Sequence, residues 1–345
     1  MRKGWCILAQ LRKSRTATLT DVAAAAGVSV STASKAINDR SDVAQATRDR
    51  VLKVAEELSF APNPLARSLL TGRTGTVGLI THDIEGRFSI PLLMGVEDAF
   101  GMNKVSVLLC DARGDSIREQ YHLRTLVDRK VDGIIIVGDR PDTRASVGRD
   151  LPVPVVYAYA PSEDLEDCSI VSDSVASGRI AVSHLADVGR RSIALLGGDS
   201  SYGASKERVS GAVAALEELG MEPLGGSAMY GSWSEQWGRA AMRTVLSRHP
   251  EVDGVVCGND QIARGALDTL RDAGKSVPDD VSVIGHDNWA ILVENSRPPL
   301  TSIDMNLESL GRQASQRLRE AVEGELRKGV ERVEPRLVVR SSTIA

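Results

Sequence analysis

Residues 18–38, TLTDVAAAAGVSVSTASKAIN, constrain the fold of this chain more tightly than any other stretch. Thr18 stands three residues before Asp21, the spacing of a capping box, which sets a carboxylate at the positive end of a helix dipole. Val22 and four consecutive alanines follow, and side chains this small let a second helix come close. Gly27 supplies the positive φ that ends the first helix, and Ser29 is a ready cap for the next. In that next helix Ala33, Ala36 and Ile37 share one side by 3–4 spacing, while Val30, Ser31, Ser34 and Lys35 share the other. One side packs and the other faces outward.

Two short helices joined by a tight turn have the geometry of a helix-turn-helix, whose second helix enters the major groove and reads base edges from its N-terminal residues. The side chains suit that role: Lys35 donates to guanine O6 and N7, Ser31 bonds either kind of edge group, and the Val30 methyls pack on a thymine methyl. An alanine-rich helical hairpin in another kind of core shares the same periodicity. Charge favours the first reading. Residues 1–73 carry 12 Lys/Arg against 6 Asp/Glu, whereas the remainder carries 30 against 40. A basic head on an acidic body is the pattern of a DNA-binding domain joined to a part that stays off DNA.

Read from Asp21 through Asn38, the pattern DVA-x-x-AGVS-x-x-T-x-S-[RK]-x-x-N resembles the N-terminal signature of the lactose-repressor (LacI/GalR-type) family of transcription factors, and further signatures follow along nearly the whole chain. The resemblance implies that Thr18, Ser29, Val30, Ser31, Thr32, Ser34, Lys35 and Asn38 meet a double-stranded, pseudopalindromic operator. Ala33 replaces the family's common Val or Ile, and Lys35 its usual Arg, a point charge in place of a planar fork. A third helix is expected over residues 44–58 with Val51, Val54 and Leu58 on its inner face. Ala44 stands where the family has a Ser cap, a loss of about 1 kcal/mol. Phe60-Ala61-Pro62-Asn63-Pro64 breaks that helix, and residues 65–70 match the family's hinge helix. On the match, Leu69 wedges into the central base step, Ala66 faces the minor groove and Arg67 lies near phosphate. A helix under ~12 residues is marginal in water, so this one is expected to order only on DNA or against its dimer mate. An ordinary interdomain linker is the structural alternative.

From Thr74 onward, short apolar runs alternate with helix-like segments in two series. Val77–Ile80, Val105–Leu109, Gly133–Val137 and Val155–Tyr157 form one series of strands, and Ile193–Leu196, Gly254–Cys257 and Val281–Gly285 the other. Alternation of this kind means parallel sheets with right-handed crossovers, and two series mean two lobes. The expected fold is an all-α helix-turn-helix headpiece plus a two-lobed, periplasmic-binding-protein-like α/β body. Its expected boundaries are a basic, disordered arm over 1–17, the headpiece over 18–62, the hinge over 63–73 and the body over 74–345. Within the body, the N-lobe takes about 74–172 plus 305–330, and the C-lobe about 173–303 plus the terminal strand, expected over 337–343.

The family binds a small effector between such lobes, and open α/β sheets bind ligands at the carboxyl ends of their strands. By resemblance, Asn259 in GNDQIARGAL and Asp287 in GHDN bind ligand hydroxyls, Arg208 in KERVSGA fills the effector-contacting arginine position, and Trp233 in GSWSEQ presents its ring to a sugar face. An aromatic plane with amide, carboxylate and guanidinium partners is coherent for a saccharide. Taken singly, Asn259 reads equally as a helix cap and Trp233 as core. Tyr159 stands where the family often has Asp, and Gly86-Arg87-Phe88-Ser89 where it has Asn-Pro-Phe-Phe, so the pocket mouth is altered, and the match places Phe88 and Tyr159 among the effector-binding residues.

No run of 18 apolar residues offers a membrane span, and the apolar start, Trp5–Leu11, is interrupted by Gln10 and followed by Arg12, Lys13 and Arg15, unlike a secretory signal. A cytoplasmic location is expected. Cys6, Cys110, Cys168 and Cys257 lie far apart and form no Cys/His cluster, so buried reduced thiols are expected and neither a metal nor a cofactor is assigned. Gly198 and Gly203 have P-loop spacing, but Ala204-Ser205 stands where Lys-Ser/Thr is required, and no other catalytic motif supports an enzyme. The sugar-binding protein of a transporter would share the body but lack the headpiece. With no leucine heptad after the terminal strand, a homodimer is expected.

Overall fold

The computed structural model describes residues 17–38, 40–60, 72–83, 86–101 and 105–344. The chain divides into two compact units, Met1–Thr74 and Gly75–Ala345.

The first unit holds helices α1 (Leu19–Ala26), α2 (Val30–Ile37) and α3 (Gln45–Glu57). The capping box forms: the Thr18 amide donates to Asp21 Oδ2 at 2.8 Å, and the Thr18 hydroxyl accepts the Asp21 N–H at 3.3 Å. Gly27 ends α1 at φ 63°, and Ser29 caps α2 through the Thr32 N–H at 3.0 Å. Val22, Ala33, Ala36 and Val51 close the core, each at most 1 % exposed. Ala44 stands at the start of α3 without a side-chain cap bond. The expected inner face of α3 needs one correction. Leu58 is 39 % exposed, because α3 ends at Glu57 and Ser59 turns the chain at φ 49°. The core is closed there by Ala55 and Phe60.

The second unit contains two sheets. The first runs β10-β5-β4-β3-β1-β2, all parallel, from β1 (Thr76–Thr81), β2 (Ser106–Asp111), β3 (Ile134–Val137), β4 (Val155–Ala158), β5 (Cys168–Ser172) and β10 (Gly329–Val333). The second runs β11-β9-β8-β7-β6, from β6 (Ile193–Leu196), β7 (Gly254–Cys257), β8 (Ser282–His286), β9 (Thr301–Asp304) and β11 (Arg336–Val338), parallel except for β11. Alternation along each strand feeds two cores. On β3, Ile135 and Val137 face α4 (Ser89–Gly101) and α11 (Leu307–Val322), while Ile134 and Ile136 face α5 (Ser116–Asp128). The second sheet is covered by α6 (Ser174–Asp187) and α7 (Gly203–Glu218) on one face. On its other face lie α8 (Glu235–Arg248) and α9 (Asp260–Asp272). Each fully buried Leu, Ile or Val adds about 1.5–3 kcal/mol of burial free energy, so both sheets hold substantial cores.

The chain passes between the sheets after β5, between β9 and α11, and between β10 and β11. The terminal strand is shorter than expected. The Thr301 hydroxyl takes the Arg340 N–H at 2.8 Å and diverts the backbone, after which Ser342 bonds Val283 through its carbonyl and hydroxyl. Cys168 and Cys257 are buried, but Cys110 is only half-buried because β2 is the edge strand. Among the described residues, no helix is long and apolar enough to cross a membrane. A short helix, α10 (Ala290–Val293), follows β8 and lies beside the cleft described next.

Candidate functional site

On the headpiece, Ser31, Lys35 and Asn38 are exposed with Val30, which is 45 % exposed, and Thr32 and Ser34 are half-buried. Thr18 and Ser29 are also exposed, but each is engaged in capping. The Ser29 and Thr32 hydroxyls lie 2.8 Å apart, and the Asn38 amide donates to the Ser34 carbonyl at 2.9 Å. Lys35 is paired with Asp42, whose carboxyl is held below its usual range first by that hydrogen bond. Asp42 neutralises Lys35 and takes one of its three N–H donors, so it competes with any new partner for that charge. Ala66, Arg67 and Leu69 lie outside the described residues.

In the second unit, Phe88, Tyr159, Arg208, Trp233, Asn259 and Asp287 line one cavity of about 260 Å³, although they come from six separate segments. Arg87, Asp139, Arg140, Pro141, Tyr202 and Ala204 complete its wall. Tyr159 follows β4 at φ 71°, and its ring stacks on Phe88 with centroids 5.6 Å apart. Burial pushes its phenol well above the ordinary range. Arg208 is brought in by α7, which packs on α6 through glycines. A Cβ on Gly178 would sit 1.9 Å from the Arg208 carbonyl oxygen, and one on Gly211 would sit 2.0 Å from that of Val175. Arg208 donates to the Gly258 carbonyl at 2.7 Å, while its Nε finds no partner among the described residues.

Trp233 lies over Gly198, where an added Cβ would come within 2.1 Å of the indole. Tyr202 and Trp233 form a T-shaped pair with ring centroids 5.7 Å apart, and the indole both packs partly on the lobe core and lines the cavity. Asn259 likewise both caps a helix and lines the cavity. Its Oδ1 caps α9 by accepting the Ile262 N–H at 2.9 Å, and its Nδ2 makes only a long contact to Gln261 at 3.4 Å.

Asp287 is the electrostatic centre. Its side chain is 2 % exposed and accepts from Arg87 Nη2 and, at 3.0 Å, from His286 Nδ1. Burial pushes the Asp287 pKa up, but the His286 hydrogen bond and the Arg87 and Arg208 charges outweigh it and hold the acid below its usual range. Burial pulls His286 down to about 4, so the ring is neutral at pH 7, and its bond to Asp287 places the proton on Nδ1. Behind them Asp260, fully buried, accepts the Trp289 N–H at 2.8 Å and the Ser302 hydroxyl at 2.6 Å. Burial and the neighbouring Asp287 charge push Asp260 up to about 8. Asp287 and Asn288 have φ of 100° and 51°, a conformation costly for residues with a Cβ. With Tyr159, this backbone strain gathers at the cavity wall.

Two contacts across the lobes escaped sequence reasoning. Arg87, ahead of α4, bonds Asp287 and, at 3.5 Å, Gln261, with its guanidinium 4.6 Å from the Phe88 centroid and 4.8 Å from that of Trp289. Only the departure at Gly86–Ser89 marked this position. At the other end, Asp142 accepts the Gly203 N–H at 2.7 Å, capping α7 where the adjacent Tyr202 supplies no side-chain bond. Arg140 lies over the Tyr202 ring at 5.4 Å.

A capped helix-turn-helix on the same chain as a two-lobed body, with charged and aromatic groups converging between the lobes, defines a ligand-responsive DNA-binding regulator. The chain belongs to the lacI family of bacterial regulatory proteins: the model of that family matches residues 18–63, and that of the periplasmic binding protein-like domain residues 182–343. It is 34 % identical over 341 residues to the HTH-type transcriptional regulator CelR of Thermobifida fusca, covering 96 % of this chain and 100 % of the relative. The HTH-type transcriptional repressor PurR of Vibrio campbellii is 32 % identical over 330 residues, covering 94 % and 98 %. Among solved structures, a CelR–cellobiose complex matches with TM-score 0.61 at 31 % identity, covering 94 % of this chain and 99 % of that one. A lac repressor dimer bound to operator and the anti-inducer ONPF matches with TM-score 0.69 at 26 % identity, covering 96 % and 100 %.

Proposed function

We propose that this regulator represses carbohydrate uptake or catabolism genes, and that a saccharide bound between its lobes sets its affinity for a pseudopalindromic operator. The observation that carries the reading is the convergence of Trp233, Arg208, Asn259 and Asp287 on one cavity, which supplies an aromatic plane beside three kinds of hydroxyl-bonding group. The cellobiose bound to CelR and the operator-bound lac repressor dimer support it by similarity. In this reading Phe88 and Tyr159 shape the mouth of the effector site. The DNA surface is Thr18, Ser29, Val30, Ser31, Thr32, Ser34, Lys35 and Asn38, with Ala66, Arg67 and Leu69 in the hinge. The protein acts in the cytoplasm as a homodimer and carries out no covalent step. The effector changes the lobe angle and thereby the population of the DNA-competent state.

The test is selection of bound sites from a random duplex library by the purified protein at fixed moderate salt, without and with a panel of sugars. Enrichment of a two-fold pseudopalindrome that one of the sugars weakens or strengthens is the expected result. No enrichment under either condition would refute sequence-specific regulation, and enrichment indifferent to every sugar would refute the saccharide.

A further inference from the structure

We propose that the cleft continues past Arg87 into a second sugar subsite, so that the effector is a saccharide of at least two rings and Arg87 is the gate between them. The inference rests on the saccharide reading of the first chamber. A second cavity of about 320 Å³ adjoins it, and Arg87, Phe88 and Asp287 line both, so these three side chains form the partition. Ligand pockets run to about 300–1,000 Å³. The first chamber, at about 260 Å³, falls just short of that range, and the two joined fall well within it.

The chemistry repeats across the partition. Where the first chamber has Trp233, Asp287, Asn259 and Arg208, the second has Trp289, Asp304, Asn288 and Arg336. Asp304 Oδ2 accepts from Arg336 at 3.1 Å and, more weakly, from the Asn288 amide at 3.4 Å, which leaves polar groups gathered beside an indole. The left-handed turn at Asp287 and Asn288 connects the two sides: Asp287 lines both chambers, and Asn288 and Trp289 line the second. Asp260 fixes that turn through the Trp289 N–H.

The partition is movable because its centre is a side chain. Beyond the bond to Asp287, Arg87 is held by the long contact to Gln261 and by the Phe88 and Trp289 rings, and its Nε has no partner among the described residues. A sugar can replace each of these: hydroxyls donate to Asp287, and the C–H faces of a ring enter the slot between Phe88 and Trp289. The guanidinium is thus a stand-in for ligand that a disaccharide displaces.

The experiment compares glucose, cellobiose and maltose as probes, by calorimetric titration of the full chain and its folded Arg87→Ala and Trp289→Ala variants, and by crystal structures of the wild-type complexes. The expected structure has one ring in each chamber with Arg87 off Asp287. Trp289→Ala should lower the disaccharide-to-monosaccharide affinity ratio by about tenfold, and Arg87→Ala, which removes a charged competitor, should raise it by a similar factor. A ring in the first chamber with Arg87 still on Asp287, or a ratio unchanged in both variants, would overturn the subsite while sparing the saccharide reading. Absence of all three sugars from both chambers would overturn that reading and the subsite with it. If Trp289→Ala fails to fold, Trp289→Phe and the crystal structures give the same decision.

Discussion

Replacing Asp287 by alanine removes the carboxylate that accepts from both Arg87 and His286. Its side chain is 2 % exposed and that of Arg87 is 21 % exposed, so the variant strands a guanidinium that water reaches only in part. Arg208, whose charge also acts on Asp287, loses a counter-charge as well. Removing one partner of a buried pair costs about 3–5 kcal/mol, and the partial access of water to Arg87 places this case near about 3 kcal/mol. For a unit the size of Gly75–Ala345, each kcal/mol lowers Tm by roughly 2–4 °C, so the expected fall is about 6–12 °C. Asp287→Asn keeps the volume and one acceptor oxygen, and should cost about half as much. Calorimetric unfolding of the full chain at pH 7 measures both, and a DNA-binding titration with effector reads the response, which the alanine variant should lose. A Tm within about 2 °C of wild type for Asp287→Ala would refute the buried charge cluster. A retained response in a folded variant would show that Asp287 does not hold effector.

Asp42→Asn frees Lys35, and operator affinity in a salt titration should rise a few-fold, by about 2–5 times at low salt; a fall would mean that Asp42 does not compete for that lysine. Gly178→Ala drives a methyl into the Arg208 carbonyl, 1.9 Å from the ideal Cβ, so α6 and α7 must part. The expected cost is about 1–3 kcal/mol together with weakened effector binding, and unchanged melting and titration curves would sink the packing argument. Two buried groups give opposite pH slopes: His286, lowered to about 4, contributes stability present above pH 6.5 and lost as pH falls through about 4, whereas Asp260, raised to about 8, contributes stability present below pH 3.8 and lost as pH rises through about 8. Urea unfolding at several pH values should therefore show, from these two groups, a near-flat profile to about pH 6.5 and then a decline, and Asp260→Asn should remove the decline.

The headpiece was legible because its determinants are local. Thr18, Gly27 and Ser29 each act within a few residues, and each does in the structure what its position in the sequence indicates. Leu58 was misplaced because spacing cannot tell that a helix stops one residue early. Helix α6 escaped because its buried positions are largely Ser, Ala and Gly and it packs on both the sheet and α7, so no single apolar stripe stands out. Strand β10 escaped because it alternates half-buried with exposed residues and reads as a polar loop. The six cleft residues were legible only through motifs spread along the chain, and the structure places them on one cavity. Arg87 and Asp142 were not legible as contacts at all, since their partners Asp287 and Gly203 lie 200 and 61 residues away.

Those two invisible contacts carry the consequence for regulation. The lobes are joined covalently by crossover segments and, among other contacts, by Arg87 on Asp287, Asp142 on the first turn of α7 and Arg332 at 3.9 Å from Glu207. A charge-assisted hydrogen bond contributes about 1.5–3 kcal/mol, so the Arg87 and Asp142 clasps are each worth only that much. Coupling between effector and DNA sites typically amounts to about 1–3 kcal/mol. A ligand that takes over Asp287 therefore exchanges an amount of free energy comparable to the whole regulatory signal, and it does so without disturbing either sheet. Sensitivity to effector then follows from the weakness of these contacts: clasps much stronger than this would leave the closed state populated whatever was bound, and with none the lobes would not report occupancy.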